Sequence, residues 1–84
     1  MNEGEETEIA QKLADLKAYQ EQYDQAKHAI QRARNQAETL AQWHSMNEAE
    51  RRYEATFNWL VAYGYIIKWC KVRQAYEAYK ANTS

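Results

Sequence analysis

The sequence predicts an all-α fold: an antiparallel hairpin of two long helices with a coiled-coil-like seam, pairing with a second copy into a four-helix bundle. Three observations carry this expectation. The 84 residues include no Pro and only two Gly, so the punctuation that separates strands is scarce. Fourteen residues are Ala, and Glu, Gln, Lys and Arg are abundant, which are the strongest helix formers. Apolar residues in the first half recur at alternating steps of three and four, the spacing of a heptad seam.

The first helix is expected over about residues 5–43. Its stripe runs through Ile9, Leu13, Leu16, Tyr19, Tyr23, Ala26, Ile30, Ala33, Ala37 and Leu40, with one three-residue slip near Tyr19. Lys12, Lys17, Gln20, Glu21, Asp24, Gln31, Arg34 and Glu38 fall between these positions, as on a solvated face. Glu3, Glu5, Glu6 and Glu8 open the helix, where its dipole favours anions.

A turn is expected at about 44–46. Ser45 followed by Glu48 has the spacing of a capping box, and Asn47 with Glu50 is a second, overlapping candidate. Folding the chain there places Ala33 opposite the Phe57 region and Ala26 opposite Gly64 and Tyr65. Residues 1–42 carry five basic and eight acidic side chains, and residues 43–84 carry six and four. Opposite signs on the two halves agree with an antiparallel pair.

The second helix is expected over about 46–80, followed by a short C-terminal tail. Tyr53, Phe57, Leu60 and Ile67 share one face, and with Ile9, Leu13, Leu16, Tyr23, Ile30, Ala33 and Leu40 they form the expected intrachain core. Residues 57–72 are also rich in aromatic and β-branched side chains, so a strand is the rival reading. It is set aside because a lone strand leaves its backbone unpaired and no second strand stands out.

Length and composition bound the rest. A chain this short makes one domain, 1–84, and buries only about 60% of its unfolded surface. Leu, Ile, Val and Phe total just eleven, but the net charge is −1 and eleven aromatics add apolar surface, so disorder is not predicted. One Cys excludes a disulfide framework within the chain. No signal-like start and no run of about 18 apolar residues occurs, so a cytoplasmic location is expected.

The search for chemistry returns little. Cys70 has no His mapped beside it, and a nucleophilic thiol needs a base in reach. His28 lies four residues after Asp24, the spacing of a surface pair. His44 and Glu48 are too few for a metal site, and no Gly-rich phosphate loop exists. No catalytic residue, cofactor, metal or small-molecule ligand is expected, and the chain reads as a non-enzyme.

What remains is a second aromatic face formed by Trp59, Ala62, Tyr65, Ile66, Trp69, Val72 and Tyr76. One antiparallel neighbour cannot cover a helix that is apolar on two sides, and Trp and Tyr are typical interface anchors. The functional expectation is a small helical regulator, inhibitor or adaptor that binds another protein, and itself as a homodimer, through this face. Stand-alone proteins of this kind include those carried by phages and other mobile elements. One alternative is a purely structural homo-oligomeric assembly factor. Another is a helical nucleic-acid binder using Arg51, Arg52, Lys68, Lys71 and Arg73, although these charges are scattered rather than gathered into a stripe. Neither nucleic acid nor membrane is an expected partner.

Overall fold

In the computed structural model, which describes residues 3–81, helix α1 (Glu3–Arg32) turns back at Ala33-Arg34-Asn35 into helix α2 (Gln36–Ala62). Strands β1 (Tyr65–Cys70) and β2 (Ala75–Lys80) follow as an antiparallel hairpin. The C-terminal tail from Asn82 onward lies outside the described residues.

Two long helices dominate, yet the boundaries differ from those expected. The break is not at 44–46; His44, Ser45 and Met46 lie inside α2. Asn35 and Glu38 make the capping arrangement instead. The Asn35 Oδ1 accepts from the Glu38 N–H at 2.9 Å, and the Glu38 carboxylate accepts from the Arg34 N–H at 2.9 Å, satisfying donors that the helix start would orphan. The turn therefore comes about ten residues earlier than expected. Gln22 now lies beside Ser45, its Nε2 donating to the Ser45 carbonyl at 3.3 Å. The seam on α1 ends near Ile30. Leu40, expected in the core, is 60% exposed, because it belongs to a stretch of α2 that the early turn leaves beyond most of the packing.

The second correction concerns residues 63–80. Helix α2 stops at Ala62, where Gly64 (φ +89°) takes a conformation that costs L residues energy and donates to the Val61 carbonyl at 2.9 Å. The expected helix over 46–80 is thus half helix and half hairpin, and the all-α reading gives way to helices plus a small sheet. Tyr65, Ile66, Ile67 and Trp69 favour a pleated surface. Their partner strand is AYEAYK, whose two Ala and one Glu conceal it, since both types are depleted in strands. The connection conceals itself too. Lys71-Val72-Arg73-Gln74 has no Gly, and Gln74 takes the positive φ (+54°) while its Nε2 donates to the Lys71 carbonyl at 2.7 Å.

The pairing register opposes Tyr65 to Lys80, Ile67 to Ala78 and Trp69 to Tyr76 on one face, and Ile66 to Tyr79 and Lys68 to Glu77 on the other. The first face packs on the helices. Ile9, Leu16 and Leu60 form the buried centre, with Leu13, Tyr53, Phe57, Trp59, Tyr65, Ile67, Tyr76 and Ala78 packed around it. Five strand steps cover about 17 Å, the rise of about eleven helical residues, so β1 runs back along α2 until Trp69 and Tyr76 reach the level of Tyr53. The hairpin supplies the cover that the aromatic surplus of α2 requires. The helical layer stays long: the radius of gyration is 15.7 Å, against about 12 Å for a compact domain of this length.

Candidate interaction surface and tyrosine cleft

Packing divides the aromatic face anticipated from sequence. Trp59, Tyr65 and Tyr76 turn inward and are half-buried. Lys12 lies over the Trp59 ring at 5.0 Å and Tyr63 stacks on it at 4.2 Å, while the Tyr65 hydroxyl donates to the Glu5 carboxylate at 3.2 Å. Trp69 meets Tyr76 edge-on at 4.9 Å and keeps part of its surface in solvent. Ala62, Ile66 and Val72 are exposed, Val72 to 93% at the hairpin tip. The residues thus do not form one patch. Ile66 and Val72 face solvent on the hairpin, and the inward residues complete the fold.

Of the anticipated core, Ile9, Leu16 and Leu60 are buried, and Leu13, Tyr23, Ile30, Ala33, Tyr53, Phe57 and Ile67 are half-buried. Cys70 is half-buried on the outward side of β1, and His28 and His44 are exposed on separate helices.

The outer face of the hairpin centres on Ile66 and Tyr79, directly opposed across the strands and exposed to 49% and 50%. Beside them Lys68 lies over the Tyr79 ring at 5.8 Å, and the Tyr79 hydroxyl donates to Glu77 at 2.8 Å, a bond that raises the phenol's pKa. The sheet has only two strands. Ala81 donates to the Gly64 carbonyl at 2.7 Å, so alternation makes 66/79, 68/77 and 70/75 the hydrogen-bonded pairs. The backbone groups of Tyr65, Ile67 and Trp69 then point away from β2, and those of Tyr76, Ala78 and Lys80 away from β1. Among the described residues these groups have no backbone partner. Both edges are open.

A second feature was legible in the sequence only in part. Between the helices, Tyr19, Gln20 and Tyr23 of α1, Ala49, Glu50 and Tyr53 of α2, and Tyr76 of β2 line a cleft of about 300 Å³. The i, i+4 spacings of Tyr19 with Tyr23 and of Ala49 with Tyr53 put each pair on one helix face, and buried Ala49 leaves room where a larger side chain would fill it. The Tyr53 hydroxyl donates to the Tyr76 hydroxyl at 3.0 Å, and Tyr76 donates to the Gln20 side-chain carbonyl. Burial pushes the Tyr76 phenol pKa well above its usual value, and the bond with Tyr53 adds to the rise. The paired spacings were a signal in the sequence, but the closing ring, Tyr76, arrives only with the hairpin.

The basic groups considered for nucleic acid are dispersed. Arg52 pairs with Glu48 at 2.5 Å on α2, and Arg73 with Glu77 at 3.2 Å on the hairpin. Among the described residues no helix is long and apolar enough to cross a membrane.

No protein-family model, curated protein or solved structure matches this chain.

Proposed function

We propose that the chain is a non-enzymatic interaction module, a small regulator or adaptor that binds another protein through the outer face and open edges of its β-hairpin. One observation carries the reading: Ile66 and Tyr79 stand opposed and half exposed on a two-stranded sheet with unpaired edges. An open edge offers main-chain hydrogen bonds to an added strand, and a tyrosine beside a branched aliphatic provides the apolar anchor that gives such an addition affinity. Self-association belongs to the same reading. Two hairpins meeting edge to edge would form a four-stranded sheet, a homodimer different from the four-helix bundle that two bare helical hairpins would make.

The test compares the chain with Ile66→Lys and Tyr79→Ser by light scattering across a concentration series and by affinity capture of proteins. The reading expects a mass approaching twice the 10.0 kDa chain, or retention of a specific protein, and loss of that association in both variants. Association that survives both substitutions unchanged would refute the assignment to this face.

A further inference from the structure

We propose that the tyrosine cleft between α1 and α2 is a binding site for an organic cation of the methylated-ammonium class. Tyr19, Tyr23, Tyr53 and Tyr76 line it, and Glu50 supplies the opposing charge. The inference is independent of the hairpin surface and uses none of its outward residues.

The lining argues for a cation. It contains four phenol rings, one carboxylate and no Lys or Arg. Asp24 adds negative charge close enough to disfavour ionisation of Tyr76. Lys17 lines two neighbouring cavities, one shared with Tyr76 and one with Gln20, and is absent from this lining. An aromatic face carries negative quadrupole density and attracts a cation placed over it. Elsewhere this chain satisfies that attraction internally, with Lys12 over Trp59, Lys68 over Tyr79 and Lys80 over Tyr65. Among the described residues, no such lysine covers any of the four cleft tyrosines.

The hydrogen-bond relay argues for a methylated head. Tyr53 donates to Tyr76 and Tyr76 to Gln20, so neither hydroxyl proton is left to oppose a cation. A primary ammonium is strongly hydrated and needs acceptors on several sides to replace its water, whereas the surface of this cleft is mainly apolar. A methylated ammonium keeps its charge, sheds its weak hydration readily and presents methyl groups to the rings. The relay also pins Tyr53 and Tyr76 before any ligand arrives, and a volume of about 300 Å³ suits a small head group.

The test is an NMR titration of the full chain with choline chloride, set against 3,3-dimethylbutan-1-ol, its uncharged twin of the same shape. Saturable shifts of the cleft tyrosine ring signals are expected with choline and far weaker ones with the alcohol. Glu50→Gln, a surface change, should weaken choline binding about fivefold, the effect of one unit charge at contact distance in water. Tyr19→Leu should weaken it further, with circular dichroism reporting whether the fold is retained. Equal response to choline and the alcohol, no saturable response to choline, or unchanged affinity in Glu50→Gln would each overturn the proposal. The choline–alcohol comparison and Glu50→Gln decide the matter even if Tyr19→Leu fails to fold.

Discussion

The hydroxyl of Tyr53 donates to that of Tyr76 at 3.0 Å, and through the onward bond from Tyr76 to Gln20 a single phenol joins α2, β2 and α1. The hairpin is therefore held to the helices by polar contacts as well as by apolar burial.

Replacing Tyr76 by Phe keeps the ring against Trp69 and Tyr53 and removes both hydrogen bonds. Tyr53 is left without that partner in a partly buried place and Gln20 in an exposed one, at an expected cost of about 1 kcal/mol. Urea unfolding should show a lower midpoint with an unchanged slope. A midpoint equal to wild type would mean that water replaces the relay without loss.

Alkaline pH should destabilise the fold. Folding raises the phenols of Tyr76 and Tyr79 above the ordinary value of 10.0, Tyr76 mainly by burial and Tyr79 mainly by its bond to Glu77. Above that ordinary value the unfolded chain releases these protons while the native state retains them, so the native state binds more protons and stability falls as pH rises. Below it the two states bind equally and the contribution is complete. Thermal melts stepped upward from neutral pH should hold steady and then decline beyond about pH 10, and Tyr76→Phe should decline less steeply. A flat profile into strong alkali would contradict the burial of Tyr76.

The two capping sequences separate cleanly by mutation. Asn35→Ala removes the acceptor of the Glu38 N–H and should cost about 1 kcal/mol. Ser45→Ala removes only a hydroxyl of α2 that accepts from Gln22 of α1 at 3.4 Å and should stay within about 0.5 kcal/mol. Thermal midpoints of the two variants would rank the turn positions directly, and a larger loss at Ser45 would move the break back to where sequence spacing first put it.

Gly64→Ala isolates backbone strain from crowding. A Cβ there meets nothing within 4 Å, so any penalty comes from the positive φ of +89°. The expected cost is about 1–2 kcal/mol, read as a drop in the urea midpoint with helical circular dichroism largely retained. A neutral result would show that the chain enters β1 by another path.

Much of α1 can be read without the structure. Its stripe from Ile9 through Leu16 and Ala26 to Ile30 is local information, because helix periodicity depends on neighbours three and four apart, and Ile9, Leu16 and Ala26 are indeed buried. The position of the turn is less accessible. Asn35 with Glu38 and Ser45 with Glu48 are similar capping signals of similar local energy, and only the packing of one helix on the other selects between them. The tyrosine cleft is harder still, since Tyr19, Tyr53 and Tyr76 come from three elements and meet only when all three are placed.

By itself the sequence determined that two long segments are helical, that they pack antiparallel, and that the aromatics from Trp59 to Tyr76 exceed what one helix partner can cover. Tertiary structure decided how that surplus is covered. Residues 65–70 become a strand only because residues 75–80 pair with them, and AYEAYK becomes a strand only because Tyr76 and Ala78 then pack on Leu16 and Leu60. The reason is the range of the forces. Helical hydrogen bonds close within four residues and can be read along the chain, whereas a hairpin and the side chains it buries are stabilised by contacts that exist only once distant segments have met.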